Sequence, residues 1–182
     1  FSFRRDVMND IRIPSDWGLE IGVLSEMTRN YSNNRLCQVD IADIYDHKHQ
    51  DISLDNENAG LSKMSIDITK AVLRKLATNG IVFNQETFRT IKATYFRIAL
   101  DFVETYRNDA LINGLKLDVH HEEQAVELFA LNIMKAGTHF LDHPMETPFV
   151  PSWNRVTSAC PDVQQMILDA VEADMSEFGG RS

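Results

Sequence analysis

The sequence predicts an α/β first part followed by a predominantly α-helical remainder. Apolar and polar residues alternate over residues 37–41, which is the period of a strand with one buried face. From residue 64 onward the apolar residues instead recur at helical spacing. The polar, turn-rich segment 55–60 separates the two patterns. We therefore expect two regions, residues 1–55 and residues 56–182.

The composition excludes several classes of protein. With 43% hydrophobic and 25% charged residues, the 182-residue chain has the composition of a globular domain with a core. Its net charge of -9 argues against a nucleic-acid-binding face and against binding to an anionic membrane surface. Cys37 and Cys160 are too few for a disulfide framework, so we expect a reducing cytoplasm. No apolar run approaches the roughly 20 residues that span a bilayer.

A loop that leads into a helix is predicted at residues 13–22, whose sequence is IPSDWGLEIG. Pro14 disfavours helix before it. Ser15 or Asp16 can accept hydrogen bonds from the exposed amides at a helix start. Because apolar residues then follow at helical spacing, we predict a helix over residues 17–31.

Three residues are unusual for the interior of this helix. Glu20 lies on the apolar stripe, where a carboxylate is costly to bury unless it is paired or hydrogen-bonded. Gly18 and Gly22 each weaken a helix by about 1 kcal/mol relative to alanine. Structural explanations are available for all three, since Glu20 can reach water at the edge of the stripe and the glycines can permit close packing. A functional role is the alternative.

Helical stripes predict four helices in the remainder. The first covers residues 64–79, and the second begins after Asn84, which can cap it, and carries an apolar and aromatic stripe over 88–106. The third covers 121–140. The last has Pro161 in its first turn and its apolar side chains directed inward. We interpret the aromatic stripes as core rather than as a ligand site, and the remaining histidines as surface or capping residues without partners at ligand spacing.

Two histidines follow the predicted strand. His47 and His49 stand among Asp43, Asp46 and Asp51. Imidazole together with carboxylate suits Mn²⁺, Zn²⁺ or iron, whereas carboxylates alone suit Mg²⁺. Two histidines are too few to specify a site, and we expect at most one of the two imidazoles to face a given ion. Solvated side chains without a metal are the alternative.

Four segments also carry a resemblance to a known family. They are FSFRRD at 1–6, PSDWGLEIGVL at 14–24, QVD at 38–40 and HKH at 47–49. In this order and spacing they resemble the second half of single-domain sugar transferases of the GT-A type, specifically the retaining glucosyl-3-phosphoglycerate synthases and the related mannosylglycerate synthases. The helical remainder resembles the C-terminal extension of that family only in general character.

The resemblance implies that a nucleotide-binding half precedes Phe1. In the family this half holds an Asp-x-Asp motif, and the present chain contains none. The chain is therefore expected to be the C-terminal half of a GT-A-like enzyme with a helical extension. By itself it is expected to be inactive.

The resemblance also assigns residues to a site. Trp17 and Gly18 would bind substrate, and Glu20 would be the catalytic-site carboxylate that hydrogen-bonds sugar hydroxyls. His47 would be the ligand of a divalent metal, Mg²⁺ or Mn²⁺. His49 would contact the acceptor, although the family has an asparagine at this position. The free amides expected at the helix start, near residues 16–19, would favour an anionic acceptor.

The implied reaction moves a hexose from a nucleotide-sugar to a small anionic acceptor, such as 3-phosphoglycerate or glycerate. Retention of configuration by front-face attack would use a leaving-phosphate oxygen as base, so no protein nucleophile is expected. The partners implied are the nucleotide-sugar donor, the acceptor and a second copy of the chain in a homodimer, with the helical extension as the place of contact. Neither nucleic acid nor membrane is expected as a partner.

Two alternatives stay open. A non-catalytic helical module for protein interaction would show an exposed apolar groove between helices and no role for His47. A self-contained metal hydrolase would use His47, His49 and nearby acids, with at least three protein ligands in this chain.

Overall fold

The computed structural model describes residues 2–9, 11–40, 52, 58–146 and 149–178. Within these ranges the chain is mostly helical, and none of the described helices combines the length and hydropathy needed to cross a bilayer. In chain order the elements are a 3-10 helix (Arg5–Asn9), β1 (Ile13–Pro14), α1 (Leu19–Asn30), a 3-10 turn (Asn33–Arg35), α2 (Gly60–Thr78), α3 (Gln85–Ile112), α4 (Val119–Asp142), β2 (Phe149–Val150), α5 (Trp153–Ala159) and α6 (Val163–Phe178).

The chain forms two compact units. The smaller unit combines Phe1–Ile13 with Phe149–Ser182, and the larger unit is Pro14–Pro148. In the smaller unit the guanidinium of Arg12 lies over the ring of Phe149, with Cζ 6.0 Å from the ring centroid. The two short strands pair in a single two-stranded sheet. The predicted boundary at residues 55–56 falls on residues outside the described ranges and stays a prediction.

The larger unit is built on α4. This helix packs against both α2 and α3, and α1 packs against α2. The helices predicted over 64–79, 88–106 and 121–140 are confirmed as α2, α3 and α4. The core consists mainly of Leu73, Phe88, Val103, Val126, Leu128, Ala130 and Ala136.

Local signals set the ends of these helices as predicted. The side-chain oxygen Oδ1 of Asn84 accepts a hydrogen bond from the N–H of Thr87 at 2.8 Å, which caps α3. Gly80, after the end of α2, has a φ of 89°, a conformation that favours glycine. Helix termination is a local event, because it depends on side chains and backbone angles within one turn.

The apolar stripe of α6 is exposed, so the prediction that it faces inward is wrong. Met166, Ile167, Val171 and Phe178 all lie at the surface of the smaller unit. The sequence pattern correctly identifies one apolar face. It does not identify a partner for that face, and the described part of this unit offers α6 few contacts beyond α5.

The strand predicted over residues 37–41 is not formed in its described part. Residues 36–40 have no regular secondary structure and are exposed, with Val39 71% exposed. Alternation yields a strand where a neighbouring strand pairs with it and its side chains, because cross-strand pairs stabilise a sheet. Among the described residues the only two strands are β1 and β2, which pair with each other. The α/β character of the first part therefore stays a prediction.

Candidate functional site

The turn before α1 brings Trp17, Gly18 and Glu20 together. Oδ1 of Asp16 accepts a hydrogen bond from the N–H of Gly18 at 2.9 Å, and its carbonyl oxygen accepts one from the N–H of Leu19 at 3.1 Å. Asp16 thus organises the start of the helix, as predicted from its residue type. The helix begins at Leu19 rather than at Trp17.

The same bonds change the expectation for an anionic ligand. The sequence predicts free amides near residues 16–19, but Asp16 already accepts hydrogen bonds from the N–H groups of Gly18 and Leu19. An anion would also meet the carboxylate of Asp16 at this position. The prediction is therefore wrong for these two amides.

Both glycines of the motif lie where two elements approach closely. A Cβ atom on Gly18 would lie 2.7 Å from Cβ of Ala71 on α2. A Cβ atom on Gly22 would overlap the ring of Pro14. The structural explanation of these glycines as permitting close packing is confirmed, and the assignment of Gly18 to substrate binding stays a prediction.

Trp17 and Glu20 are both accessible to a ligand. Trp17 is 41% exposed, and Glu20 is also exposed. Glu20 therefore reaches water, which removes the cost of burying its carboxylate. An apolar ring with a nearby polar group is typical of small-molecule sites in general.

An ion cluster that the sequence analysis missed lies on α2 beside this turn. The carboxylate of Asp67 is 4% exposed, and its two oxygens pair with Nζ of Lys63 at 3.0 Å and Nζ of Lys70 at 3.2 Å. Pairing of this kind offsets the cost of burying a carboxylate. The spacing of three and four residues along one helix was the available signal. The backbone oxygen of Asp67 lies 3.5 Å from the position of a Cβ atom on Gly18.

A second polar cluster lies at the end of α4. The imidazole of His139 is hydrogen-bonded to the carboxylate of Glu146, and its ring centroid is 4.9 Å from that of His143. This hydrogen bond lowers the pKa of Glu146 below its ordinary value, and the charges of Lys70 and Arg74 also lower it. His143 follows the last residue of α4, and its backbone N–H donates to the carbonyl oxygen of His139. His139 has a carboxylate partner that the sequence did not reveal.

The predicted metal ligand His47 and the predicted acceptor contact His49 lie outside the described residues. Within the described ranges, no group of three or more His, Cys, Asp or Glu side chains is arranged to hold a metal ion. The predicted metal is therefore not tested by this part of the chain.

An open apolar groove of about 680 Å³ runs between α3 and α4. Burial raises the pKa of Tyr95, one of its lining residues, above the ordinary value. The groove is lined chiefly by apolar side chains, among them Ile98, Phe102 and Tyr106 of α3 and Ala125 and Phe129 of α4.

The groove corrects the prediction that the whole stripe of α3 is core. Phe88 at its start is fully buried, but Ile98, Phe102 and Tyr106 are 47%, 52% and 58% exposed. The rings of Phe102 and Tyr106 stack with their centroids 6.0 Å apart. Together with Ala125 and Phe129 of α4 these side chains line the groove, so this half of the stripe faces the groove and not the core.

The chain is similar to two curated proteins that are both named glucosyl-3-phosphoglycerate synthase. It is 41% identical to the protein of Persephonella marina over an alignment of 177 residues. This alignment covers 97% of this chain and 44% of that protein. It is 37% identical to the protein of Methanococcoides burtonii over an alignment of 179 residues, and this alignment covers 98% of this chain and 44% of that protein. The chain thus spans less than half the length of these relatives. The resemblance predicted from the sequence is confirmed, and it extends through the helical remainder. Neither a family model nor a solved structure matches the chain.

Proposed function

We propose that this chain, which is similar over nearly its whole length to part of two glucosyl-3-phosphoglycerate synthases, is the C-terminal part of a glycosyltransferase. The full-length protein would move a hexose from a nucleotide-sugar to a small anionic acceptor, such as 3-phosphoglycerate or glycerate, in the cytoplasm. The single observation that supports this is the 41% identity over 97% of the chain. The GT-A architecture of the first part and the inactivity of this chain by itself belong to the same proposal.

Trp17 and Glu20 are the described residues to which we assign the substrate. Trp17 would form an apolar wall against the sugar ring, and Glu20 would hydrogen-bond sugar hydroxyls and so hold the ring for attack. Their exposure on a single turn supports this assignment. With front-face attack and retention, an oxygen of the leaving phosphate takes the proton of the acceptor. Glu20 therefore acts by orienting the sugar and not as a nucleophile.

We further propose that the full-length protein uses Mg²⁺ or Mn²⁺, with His47 as one ligand and His49 near the acceptor. A divalent cation neutralises the negative charge that develops on a departing nucleoside diphosphate. His47 would bind it as a neutral imidazole. The remaining ligands would come from outside this chain, in keeping with the expected nucleotide-binding half.

Nucleotide-sugar turnover by the full-length protein tests this proposal. We expect turnover with 3-phosphoglycerate or glycerate that depends on Mg²⁺ or Mn²⁺. Glu20→Gln should lower kcat/KM by about 100-fold, the scale of a lost orienting contact. His47→Ala should lower metal-dependent activity by about 10-fold to 100-fold or more, because it removes a ligand.

The matched control is Glu26→Gln, the same change on the same helix. Glu26 lies six residues after Glu20, and its largely buried side chain pairs with Arg29 at 2.7 Å. Glutamine keeps the size of this side chain, so the change should leave turnover within about twofold. Wild-type activity in Glu20→Gln or in His47→Ala would remove that residue from the site. A wild-type protein that turns over no nucleotide-sugar with either acceptor would contradict the proposed function itself.

The groove between α3 and α4 supports a second function, contact with a second copy of this chain. In a single chain the groove leaves two stacked aromatic rings, Phe102 and Tyr106, half exposed to water. Contiguous apolar surface of this kind marks interaction sites. The stripe lies on one face of a 28-residue helix, so two copies of α3 related by a twofold axis can each cover the stripe of the other. The helical extension would then be the dimer contact.

Sedimentation of the full-length protein tests the homodimer. We expect a wild-type dimer, and Phe102→Asp should raise its dissociation constant by about 100-fold or more, because a charge would replace a ring at the centre of the contact. Leu111→Asp is the control, since Leu111 is an exposed apolar residue of the same helix that does not line the groove. A monomeric wild type, or equal effects of the two substitutions, would exclude this contact.

A further inference from the structure

We infer that α2 is the positioning element of the Trp17–Glu20 turn, and that Gly18 acts by seating this turn on Ala71 and not by contacting substrate. The inference rests on the proposed function, because it takes Trp17 and Glu20 as the groups that meet the sugar. It gives the helical region next to the site a role in the reaction in addition to any role in dimer formation.

The contact between the turn and α2 leaves no space for a side chain at residue 18. A Cβ atom there would lie 2.7 Å from Cβ of Ala71 and 3.0 Å from Oδ1 of Asp16. Carbon atoms normally approach to about 3.5–4.0 Å. Oδ1 of Asp16 is the end of a flexible side chain and can shift by the few tenths of an ångström needed while it keeps its hydrogen bond, but the methyl group of Ala71 is fixed to its helix. The two backbones therefore come together only because residue 18 is glycine and residue 71 is small.

Backbone conformation does not explain the glycine. Gly18 has a φ of -77° and a ψ of 6°, which an alanine residue adopts without strain. The cost of Gly18→Ala therefore arises from the collision with Ala71. Removal of the methyl group of Ala71 should relieve it.

At this contact α2 is held more rigidly by its neighbours than the turn before α1 is. The side chain of Asn132 on α4 is fully buried and donates hydrogen bonds from Nδ2 to Oγ of Ser65 at 2.7 Å and to Oγ of Ser62 at 3.2 Å. Two residues further along α2, Asp67 is buried and pairs with two lysines of the same helix. The turn before α1, in contrast, has Trp17 partly in solvent. A collision between them should therefore displace the turn.

Displacement of this turn moves both proposed substrate contacts. Trp17 is the neighbour of Gly18 in sequence, and Glu20 lies in the first turn of the helix that follows. Relief of a 2.7 Å contact to a normal separation requires a shift of about 1 Å. A misplacement of about 1 Å is enough to cost about 100-fold in rate.

The test is a compensation experiment in the full-length protein. Gly18→Ala should lower kcat/KM by about 10-fold to 100-fold, and Ala71→Gly alone by no more than about threefold. The double variant Gly18→Ala/Ala71→Gly should recover to within about threefold of Ala71→Gly. A double variant as inactive as Gly18→Ala would overturn the inference, because a substrate contact at Gly18 cannot be restored by a change on α2.

Ala77→Gly provides the matched control for the second change. It makes the same substitution on the same helix, six residues or about 9 Å further along, so it lowers helix propensity without opening space for residue 18. Gly18→Ala/Ala77→Gly should stay as inactive as Gly18→Ala. Equal recovery by Ala77→Gly would show that the rescue is unrelated to the contact, which also overturns the inference.

Two further readouts separate positioning from folding and from the proposed function. The recovery should appear in kcat/KM at a temperature where circular dichroism shows every variant folded. A double variant that regains thermal stability but not kcat/KM would contradict positioning. If Glu20→Gln leaves turnover unchanged while the compensation is observed, the assignment of Glu20 fails and the role of α2 in seating the turn stands. If Glu20→Gln lowers turnover and no compensation is observed, the positioning role of α2 is contradicted and the proposed function is not.

Discussion

Phe88→Ala is expected to destabilise the chain by about 3–5 kcal/mol, the range for removing a fully buried aromatic side chain. Phe88 is 0% exposed, and its ring stacks on that of Phe83 with centroids 5.6 Å apart. Its face lies against Gly137 of α4, where a Cβ atom would be 2.6 Å from the ring. Alanine would leave a cavity between α3 and α4 that the backbones cannot close completely. Urea denaturation, monitored by circular dichroism, measures the decrease in the free energy of unfolding.

Phe96→Ala is the control for this substitution. It removes the same side chain from the same helix at a position that is 36% exposed and does not line the groove, so we expect a loss below about 2 kcal/mol. Gly137→Ala gives a second check, because it should destabilise the wild type by collision with Phe88 and be better tolerated in Phe88→Ala. Additive effects of Gly137→Ala and Phe88→Ala would contradict the packing described here.

Asn132→Leu is expected to destabilise the chain by about 2–4 kcal/mol, although leucine has the same branching and the same number of side-chain heavy atoms as asparagine. The amide of Asn132 hydrogen-bonds the hydroxyl groups of Ser62 and Ser65, and Oγ of Ser62 lies 3.5 Å from its Oδ1. Leucine would leave the buried hydroxyl group of Ser62 without that partner, and Ser65 would keep only its hydrogen bond to the carbonyl oxygen of Ser62. The cost is about 1–3 kcal/mol for each buried group left unsatisfied. The shift of the urea midpoint measures the effect.

The corresponding control removes the whole network. In Ser62→Ala/Ser65→Ala/Asn132→Leu no hydroxyl group of this cluster remains, so the triple variant should be more stable than Asn132→Leu alone. A triple variant that is less stable than the single one would mean that packing volume, and not hydrogen bonding, is what Asn132 supplies between α2 and α4.

The candidate site was predicted in part. The loop that leads into a helix, the role of Asp16 at the start of that helix and the accessibility of Glu20 follow from residue types within a few positions of one another. The ion cluster around Asp67 was missed, although its partners are three and four residues away, because spacing on a helix does not say which face is buried. The contact between Gly18 and Ala71 joins residues far apart in sequence, and no local pattern predicts it.

The sequence by itself determined the helices α2, α3 and α4, the cap at Asn84, the end of α2 near Gly80 and the resemblance to glucosyl-3-phosphoglycerate synthases. The helices and their ends follow from the sequence because the hydrogen bonds and caps of a helix lie within the same stretch of chain. The tertiary structure decided whether each apolar face packs against another element or stays exposed. It buries Phe88 but leaves Phe102 at a groove, and it exposes the stripe of α6. Burial depends on which distant element lies opposite a residue, and periodicity carries no information about that partner.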